Sequence, residues 1–202
     1  MRRSPRIRHD GLDLPARTDA EKARAFDTIY WRLRAGPEDA LRSATRRLAE
    51  EAGVDVAALA AGACLALDEI VALARDPLVT LGAHTLTHPM LAKHDVETAR
   101  REIVESRAVL ADATGREIRH LAYPVGDPGS AGPREFALAR EAGFETAVTT
   151  RPGHLFAEHA GHLHALPRVS VNGLHQSAGA LRALLSGLPL LAWNRGRRVV
   201  AA

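Results

Sequence analysis

The second half of the chain alternates short apolar segments with amphipathic helical ones, and this pattern constrains the fold most. The apolar segments are "PLVTLGAH", "IRHLAYP", "ETAVTT" and "ALPRVSV". Helical patterns lie at residues 95–114, in "GPREFALAREAGF" and in "HQSAGALRALLSG". The first of these is expected to begin at an Asp95 cap and to end at Gly115, with an apolar face made of Val96, Ala99, Ile103, the stem of Arg107 and Leu110. Strands that alternate with helices are typical of a parallel α/β sheet or barrel, where sites form at the carboxyl ends of the strands. We therefore predict an α/β fold with an incomplete barrel over residues 78–188.

The first part of the chain has a different pattern, a short hairpin followed by helices. Asp10-Gly11 between alternating apolar residues predicts a short hairpin. Thr18 followed by Glu21 has the capping-box spacing that begins a helix, and residues 16–77 are nearly all helical in pattern. The predicted organisation is a hairpin and helical segment at 1–77, the α/β part at 78–188 and a basic C-terminal tail at 189–202.

Composition excludes several classes of protein. The net charge is only +3 over 202 residues, and basic residues are interleaved with acids, so no nucleic-acid footprint is expected. Cys64 is the single cysteine, which excludes an intramolecular disulfide. No signal-peptide pattern is present and the run "LPLLAW" is too short to cross a bilayer. We expect a cytoplasmic chain without a membrane span; its oligomeric state is not indicated.

Two histidines in "LGAHTLTHPML" are the first candidate site. His84 and His88 are four residues apart, and Pro89 disfavours a helix at His88, so the segment is expected to be a turn that leaves a strand. Two imidazoles there can bind a divalent ion, although a carboxylate or further ligands must complete the site. The spacing alone leaves a hydrogen-bonded surface turn as an equal alternative.

The surrounding residues resemble a known family. "GAHTLTHP" resembles the His-Ser/Thr-x-x-His-Pro motif of the polysaccharide deacetylases, the group that contains the nodulation chitooligosaccharide deacetylases. "RHLAYPVGDPG" resembles the Phe-Ala-Tyr-Pro-Tyr-Gly motif of one branch, and "GFETAVTTRPG" and "LPRVSVNG" resemble its later strands in the same order. The resemblance covers residues 68–175, and the helical segment before them resembles an insertion found in some members.

The resemblance implies a distorted (β/α) barrel and a hydrolase of carbohydrate metabolism. Such an enzyme uses a divalent metal, commonly zinc, to remove N-acetyl groups from amino-sugar saccharides, cleaving a non-peptide C–N bond. His84 and His88 would be metal ligands, and the Val125 backbone N–H would donate to the oxyanion. The predicted substrate-binding residues are Tyr123, Pro124 and Gly126. For these residues the alternative is purely structural, with Tyr123 in the core and the other two shaping a turn.

The same half of the chain contains other polar residues that are candidates for a site. Arg168 lies in an apolar strand, so it is expected to be paired or to face the barrel mouth, where it would orient a carboxylate or bind sugar. Asp127 is expected to form an Asx turn. The histidines in "HLFAEHAGHLH" match no ligand spacing and indicate a polar loop, and His175 is a candidate general acid by position only.

The sequence departs from the family at several motifs: the Leu-x-His acid motif is not evident, Ala122 stands where other branches have an Arg, and the first motif is missing. The Thr-Phe-Asp-Asp-Gly motif, which carries the catalytic-base aspartate and a third ligand, is absent, and "AFDTIYW" around Asp27 lies in a helical pattern. Loss of a general base costs about 10²–10⁴-fold in rate. The chain is therefore expected to be a truncated, weakly active or inactive deacetylase, or alternatively a non-catalytic remnant or binding scaffold of the same fold. A helical interaction module supported by the α/β half is the third hypothesis.

Overall fold

The computed structural model describes residues 4–173 and 176–201, and the chain divides into two compact units. The first unit is Met1–Ala66 and the second is Leu67–Ala202. The division falls after Ala66, whereas the sequence placed a boundary at residue 77.

The first unit begins with the predicted hairpin. Its elements are β1 (Arg6–His9), β2 (Leu12–Pro15), α1 (Asp19–Ala35), α2 (Glu38–Glu51) and α3 (Val56–Ala63). The two strands are antiparallel, and both turn residues have positive φ, 46° at Asp10 and 75° at Gly11, as a tight primed turn requires. The Thr18 side chain accepts from the Glu21 N–H and the Glu21 side chain accepts from the Thr18 N–H, so the predicted capping box is confirmed.

One apolar stretch was missed in the sequence. Val56–Leu73 is long and apolar enough to cross a membrane by length and composition. In the structure this stretch is α3 followed by α4 (Leu67–Leu73), with residues 64–66 outside both helices and none of the stretch buried. Length and composition are the only criteria that it meets.

The second unit is a mixed α/β structure built on a parallel sheet. After α4 its elements are a 3₁₀ turn (Leu91–Lys93), α5 (Val96–Thr114), β3 (His120–Ala122), α6 (Pro133–Glu141), β4 (Thr146–Pro152), a 3₁₀ turn (Ala157–Gly161), β5 (Leu166–Arg168), α7 (Ala178–Leu185) and α8 (Leu188–Trp193). The three strands pair in parallel in the order β3-β4-β5. The predicted parallel α/β arrangement is thus confirmed, while closure into a barrel stays a prediction. The predicted C-terminal tail contains most of α8.

The expected strand "PLVTLGAH" is reduced to a single bridge. Ala83 donates its N–H to the His120 carbonyl at 2.8 Å and accepts from the Ala122 N–H at 2.9 Å, which makes one parallel bridge to Leu121. The strand β3 that it faces is only three residues long, so a longer ladder has no partner on this side. The bridge still places the next residue, His84, beside the end of β3.

Helix α5 positions the loop before it. Asp95 caps its beginning, accepting from the Thr98 N–H, and Gly115 ends it with φ 64°, both as predicted. Its buried residues are Ala99, Glu102, Ile103 and Ser106. The expected apolar face included Val96, which is exposed, and omitted Glu102. The face that packs on the core therefore carries a carboxylate. On the same helix, burial of the Ile103 side chain stabilises the folded state by about 1.5–3 kcal/mol.

Candidate functional site

The two histidine rings of the predicted metal site lie against each other. The ring centroids of His84 and His88 are 4.8 Å apart with the planes at 76°, and both residues are exposed. The segment between them is a turn, as Pro89 indicated, and Pro89 itself is buried. The structure thus brings together two imidazoles at the carboxyl end of an extended segment, open to solvent.

A backbone carbonyl fixes the orientation of the His84 ring. Its Nδ1 is 2.6 Å from the carbonyl oxygen of Ala122, the last residue of β3. Because a carbonyl oxygen only accepts, Nδ1 carries the hydrogen and Nε2 keeps its lone pair. In a metal-binding histidine, the ring nitrogen that does not bind the metal usually donates its hydrogen to a group such as a backbone carbonyl.

The loop between the histidines is held in an uncommon conformation. Thr85 and His88 have φ of 66° and 58°, in the left-handed region that β-branched and bulky residues rarely adopt. The Thr85 hydroxyl oxygen accepts from the His88 N–H at 3.1 Å. One carboxylate oxygen of Glu102 accepts from the N–H groups of Leu86 and Thr87 at 2.8 and 2.9 Å, and the other accepts from the Thr87 hydroxyl at 2.7 Å.

Tyr123, predicted to bind substrate, lies in the core. Its side chain is 1% exposed, its ring packs on Phe136, and its hydroxyl donates to the His164 carbonyl at 2.9 Å. Burial raises the pKa of Tyr123 far above its usual value, with the nearby Glu135 charge acting in the same direction. The structure gives this residue the packing role that was the alternative, and contact with a substrate stays a prediction. Pro124 is also buried.

Val125 and Gly126 form a tight turn beside β4. Val125 has φ 61°, and its carbonyl accepts from the Thr150 hydroxyl at 2.6 Å, while Gly126 accepts from the Thr150 N–H at 3.0 Å. A Cβ on Gly126 would lie 2.8 Å from the Thr150 nitrogen, so only glycine fits there. Val125 is half-buried, and its own N–H has no hydrogen-bond partner within residues 4–173 and 176–201. That N–H is the group expected to bind an oxyanion.

Two arginines at neighbouring strand ends differ in burial. Arg168, the predicted site residue, ends β5 and is exposed. Arg151 in β4 was not singled out by the sequence; it is 5% exposed and donates to the Ala131 carbonyl at 3.0 Å and the Val200 carbonyl at 3.1 Å. Burial lowers the pKa of Arg151. Of the two, Arg168 is the one that solvent or a ligand can reach.

Two further histidines, His154 and His164, use their rings for contacts with the backbone. His154 Nε2 is 2.7 Å from the Leu184 carbonyl, and His164 Nε2 is 2.7 Å from that of Phe144. The described part of the chain holds no group of three or more His, Cys, Asp or Glu side chains placed to bind one metal ion. Asp127 forms the expected Asx turn, accepting from the Gly129 N–H at 3.1 Å. His175 lies outside the described residues.

A cavity of about 550 Å³ lies elsewhere in the second unit. It is bounded by α6, residues 160–165 and the C-terminal residues Val199 and Ala201, and its lining is mostly apolar. None of the predicted site residues lines it. The candidate site at the strand ends therefore lies outside this cavity, and His84 and His88 there are exposed.

Comparisons with known proteins identify a family and solved structures of similar fold. A family profile described as polysaccharide deacetylase matches residues 43–147, more than half of the chain, beginning well before the resemblance seen in the sequence. The deacetylase PplD of Streptococcus pyogenes, solved with acetate, superposes with a TM-score of 0.54 at 18% identity, covering 70% of this chain and 63% of PplD. BC0361, a polysaccharide deacetylase from Bacillus cereus, gives 0.52 at 21% identity, covering 60% of this chain and 37% of BC0361. No match was found among curated proteins. The chain thus spans less than two thirds of these relatives.

Proposed function

The chain belongs to the polysaccharide deacetylase family, and on that premise we propose that it is a metal-dependent hydrolase that removes N-acetyl groups from amino-sugar saccharides. His84 and His88 hold the metal, most suitably zinc. The Tyr-Pro-Val-Gly segment at 123–126 resembles the motif of one branch of the family, and the resemblance to the family as a whole favours an N-acetylglucosamine oligomer as substrate. The observation that carries the proposal is the pair of ring centroids 4.8 Å apart, with His84 Nδ1 tied to a carbonyl.

The donor set fits zinc in part. Neutral imidazole nitrogens are common zinc ligands, and a catalytic site keeps one of its positions for water or substrate. The carbonyl of Ala122 leaves His84 Nε2 as the free donor, and both rings are exposed where a saccharide can approach. Two imidazoles supply only part of the usual three protein ligands, so we expect weaker binding than a complete site has.

The residues of the turn then have separate roles in the proposed reaction. A bound zinc ion would polarise the acetamide carbonyl and lower the pKa of a bound water. The Val125 N–H, without a partner among the residues described, donates to the oxygen on which negative charge develops. Thr150 holds Val125 from the carbonyl side and Gly126 lets the backbone approach β4, so the N–H is fixed before substrate binds. Arg168 is exposed and available to a sugar hydroxyl or carboxylate.

A second candidate is a non-catalytic scaffold that binds metal or saccharide without turnover. It is favoured by one observation: no carboxylate joins His84 and His88 in a three-residue cluster within the described residues. Among the residues that the structure describes, no carboxylate is thus placed beside the pair to act as a base for water, and loss of a general base lowers a rate by about 10²–10⁴-fold.

The test measures acetate release and zinc binding on the same samples. Wild type, His84→Ala and His94→Ala are titrated with zinc and then assayed for acetate released from an N-acetylglucosamine oligomer. His94, in the same unit but outside the pair, is the matched control. We expect zinc-stimulated acetate release that is lost in His84→Ala and retained in His94→Ala. Zinc binding without acetate would favour the scaffold, and identical isotherms for all three would refute the metal site.

A further inference from the structure

Glu102 is a buried carboxylate to which neither the sequence nor the family motifs drew attention. It is 5% exposed on the core face of α5, and no cation lies within ion-pair distance of it in the described part of the chain. A buried carboxylate is unfavourable unless its oxygens are hydrogen-bonded. All three of its hydrogen bonds come from the loop between the two histidines, 15 or 16 residues earlier in the chain.

We propose that Glu102 is a positioning residue that holds the loop from Thr85 to His88 in the conformation that faces the His88 ring to His84, and so sets the affinity of the pair for a divalent cation. The inference rests on the proposed metal role of the histidines. It concerns a residue that does not itself touch the metal.

The strained backbone explains why such an anchor is needed. Thr85 and His88 both have positive φ, a conformation that persists only where the surroundings enforce it. Leu86 and Thr87, between them, direct both N–H groups at one carboxylate oxygen. Without that acceptor the two N–H groups bond to water equally well in other conformations, and the turn relaxes. The orientation of the His88 ring then changes relative to the His84 ring, which keeps its own hydrogen bond to the Ala122 carbonyl at the end of β3.

The hydrogen-bond pattern separates the effect of shape from that of charge. In Glu102→Gln the amide oxygen can take the place of the oxygen that accepts two N–H groups. The amide nitrogen then faces the Thr87 hydroxyl, whose oxygen can accept as well as donate. Gln therefore keeps the loop anchored, whereas Ala at this position removes all three bonds. Glu105, exposed and one turn of the same helix away, provides the matched control.

The experiment is a competitive zinc titration of the whole chain, with a chromophoric chelator, for wild type, Glu102→Ala, Glu102→Gln and Glu105→Ala. Loss of a group that orients a metal ligand typically weakens metal binding by about 10–100-fold, and we expect that loss for Glu102→Ala. Glu102→Gln is expected within about threefold of wild type, since its bonds are re-formed. Glu105→Ala should match wild type. Circular dichroism at the titration temperature verifies that each variant is folded, so that a merely structural loss is recognised.

The outcomes separate this inference from the proposed function. Equal zinc affinity for wild type and Glu102→Ala overturns the positioning role, whatever the activity. Wild type that binds zinc but releases no acetate contradicts the deacetylase activity only, and a weaker Glu102→Ala still supports the anchor. If Glu102→Ala does not fold, Thr87→Val, which removes one bond of the three, must weaken zinc binding relative to Thr87→Ser. Wild type that binds no zinc overturns both proposals.

Discussion

Gly126 provides the sharpest quantitative test of the geometry around the Val125 turn. Replacing it with alanine places a side chain at φ 69°, where the left-handed conformation costs an L-residue about 1–2 kcal/mol. The new Cβ would also lie 2.8 Å from the Thr150 nitrogen and 3.1 Å from the Tyr123 carbonyl oxygen. Both neighbours are backbone atoms, so relief requires the turn or β4 to move, and overpacking of this kind costs about 1–3 kcal/mol. We expect Gly126→Ala to lower the free energy of unfolding by about 2–5 kcal/mol.

Gly115 separates the two contributions. It has nearly the same φ, 64°, but a Cβ built there meets nothing within 4 Å. Gly115→Ala should therefore lose only the conformational part, about 1–2 kcal/mol. Both glycines belong to the unit Leu67–Ala202, so they report on the same folding unit.

Urea unfolding followed by circular dichroism measures both variants. With the slope of the free energy against urea unchanged, the shift in midpoint gives the stability difference directly. Gly126→Ala is expected to be the less stable of the two by about 1–3 kcal/mol. Equal losses for the two variants would mean that the turn yields freely, and the close approach of residues 126 and 150 would not constrain the Val125 N–H.

Three further predictions concern the same turn and its core support. Thr150→Val removes the hydroxyl that donates to the Val125 carbonyl, so it should cost about 0.5–1.5 kcal/mol in urea unfolding and lower any acetate release, whereas Thr150→Ser should retain both. Val125→Gly relieves the positive φ but keeps the N–H, so stability should stay within about 1 kcal/mol of wild type and acetate release should persist. Tyr123 has its pKa raised by burial, so above the ordinary tyrosine pKa near 10 only the unfolded state ionises, and stability should fall as pH rises through that range. Tyr123→Phe should lose this alkaline dependence, measured as the urea midpoint between pH 9 and 11; an unchanged profile would contradict the burial argument.

Features encoded within a few residues were predictable from the sequence. The hairpin at Asp10-Gly11, the cap at Thr18 and the ends of α5 at Asp95 and Gly115 depend on local backbone and side-chain chemistry, and the structure confirms each. The family motif identified the His84–His88 pair, although the spacing of the histidines alone would not have separated a metal site from a surface turn.

Features that depend on distant partners were not predictable. The extended segment before His84 has a strand-like composition, but the length of a strand is set by the partner it meets, and β3 offers three residues. Glu102 looked like one acid among many in a charged helix. Its spacing from Ala99 and Ser106 was a usable signal, since these residues are three and four positions away, on the same helical face, and both are buried. Its partners in the histidine loop could not be deduced from one sequence. The same holds for Arg151, whose two acceptors are 20 and 49 residues distant.

The contact between His84 Nδ1 and the main-chain oxygen of Ala122 bears on how this site can change over generations. An acceptor supplied by the peptide backbone is present whichever amino acid occupies position 122, so the tautomer of the ring survives replacement of its neighbour. The orientation of the His88 ring is not protected in this way, because its loop is held by a side chain, the carboxylate of Glu102. Divergent sequences that retain the first histidine but lose the acid on α5 should therefore lose the second histidine as well.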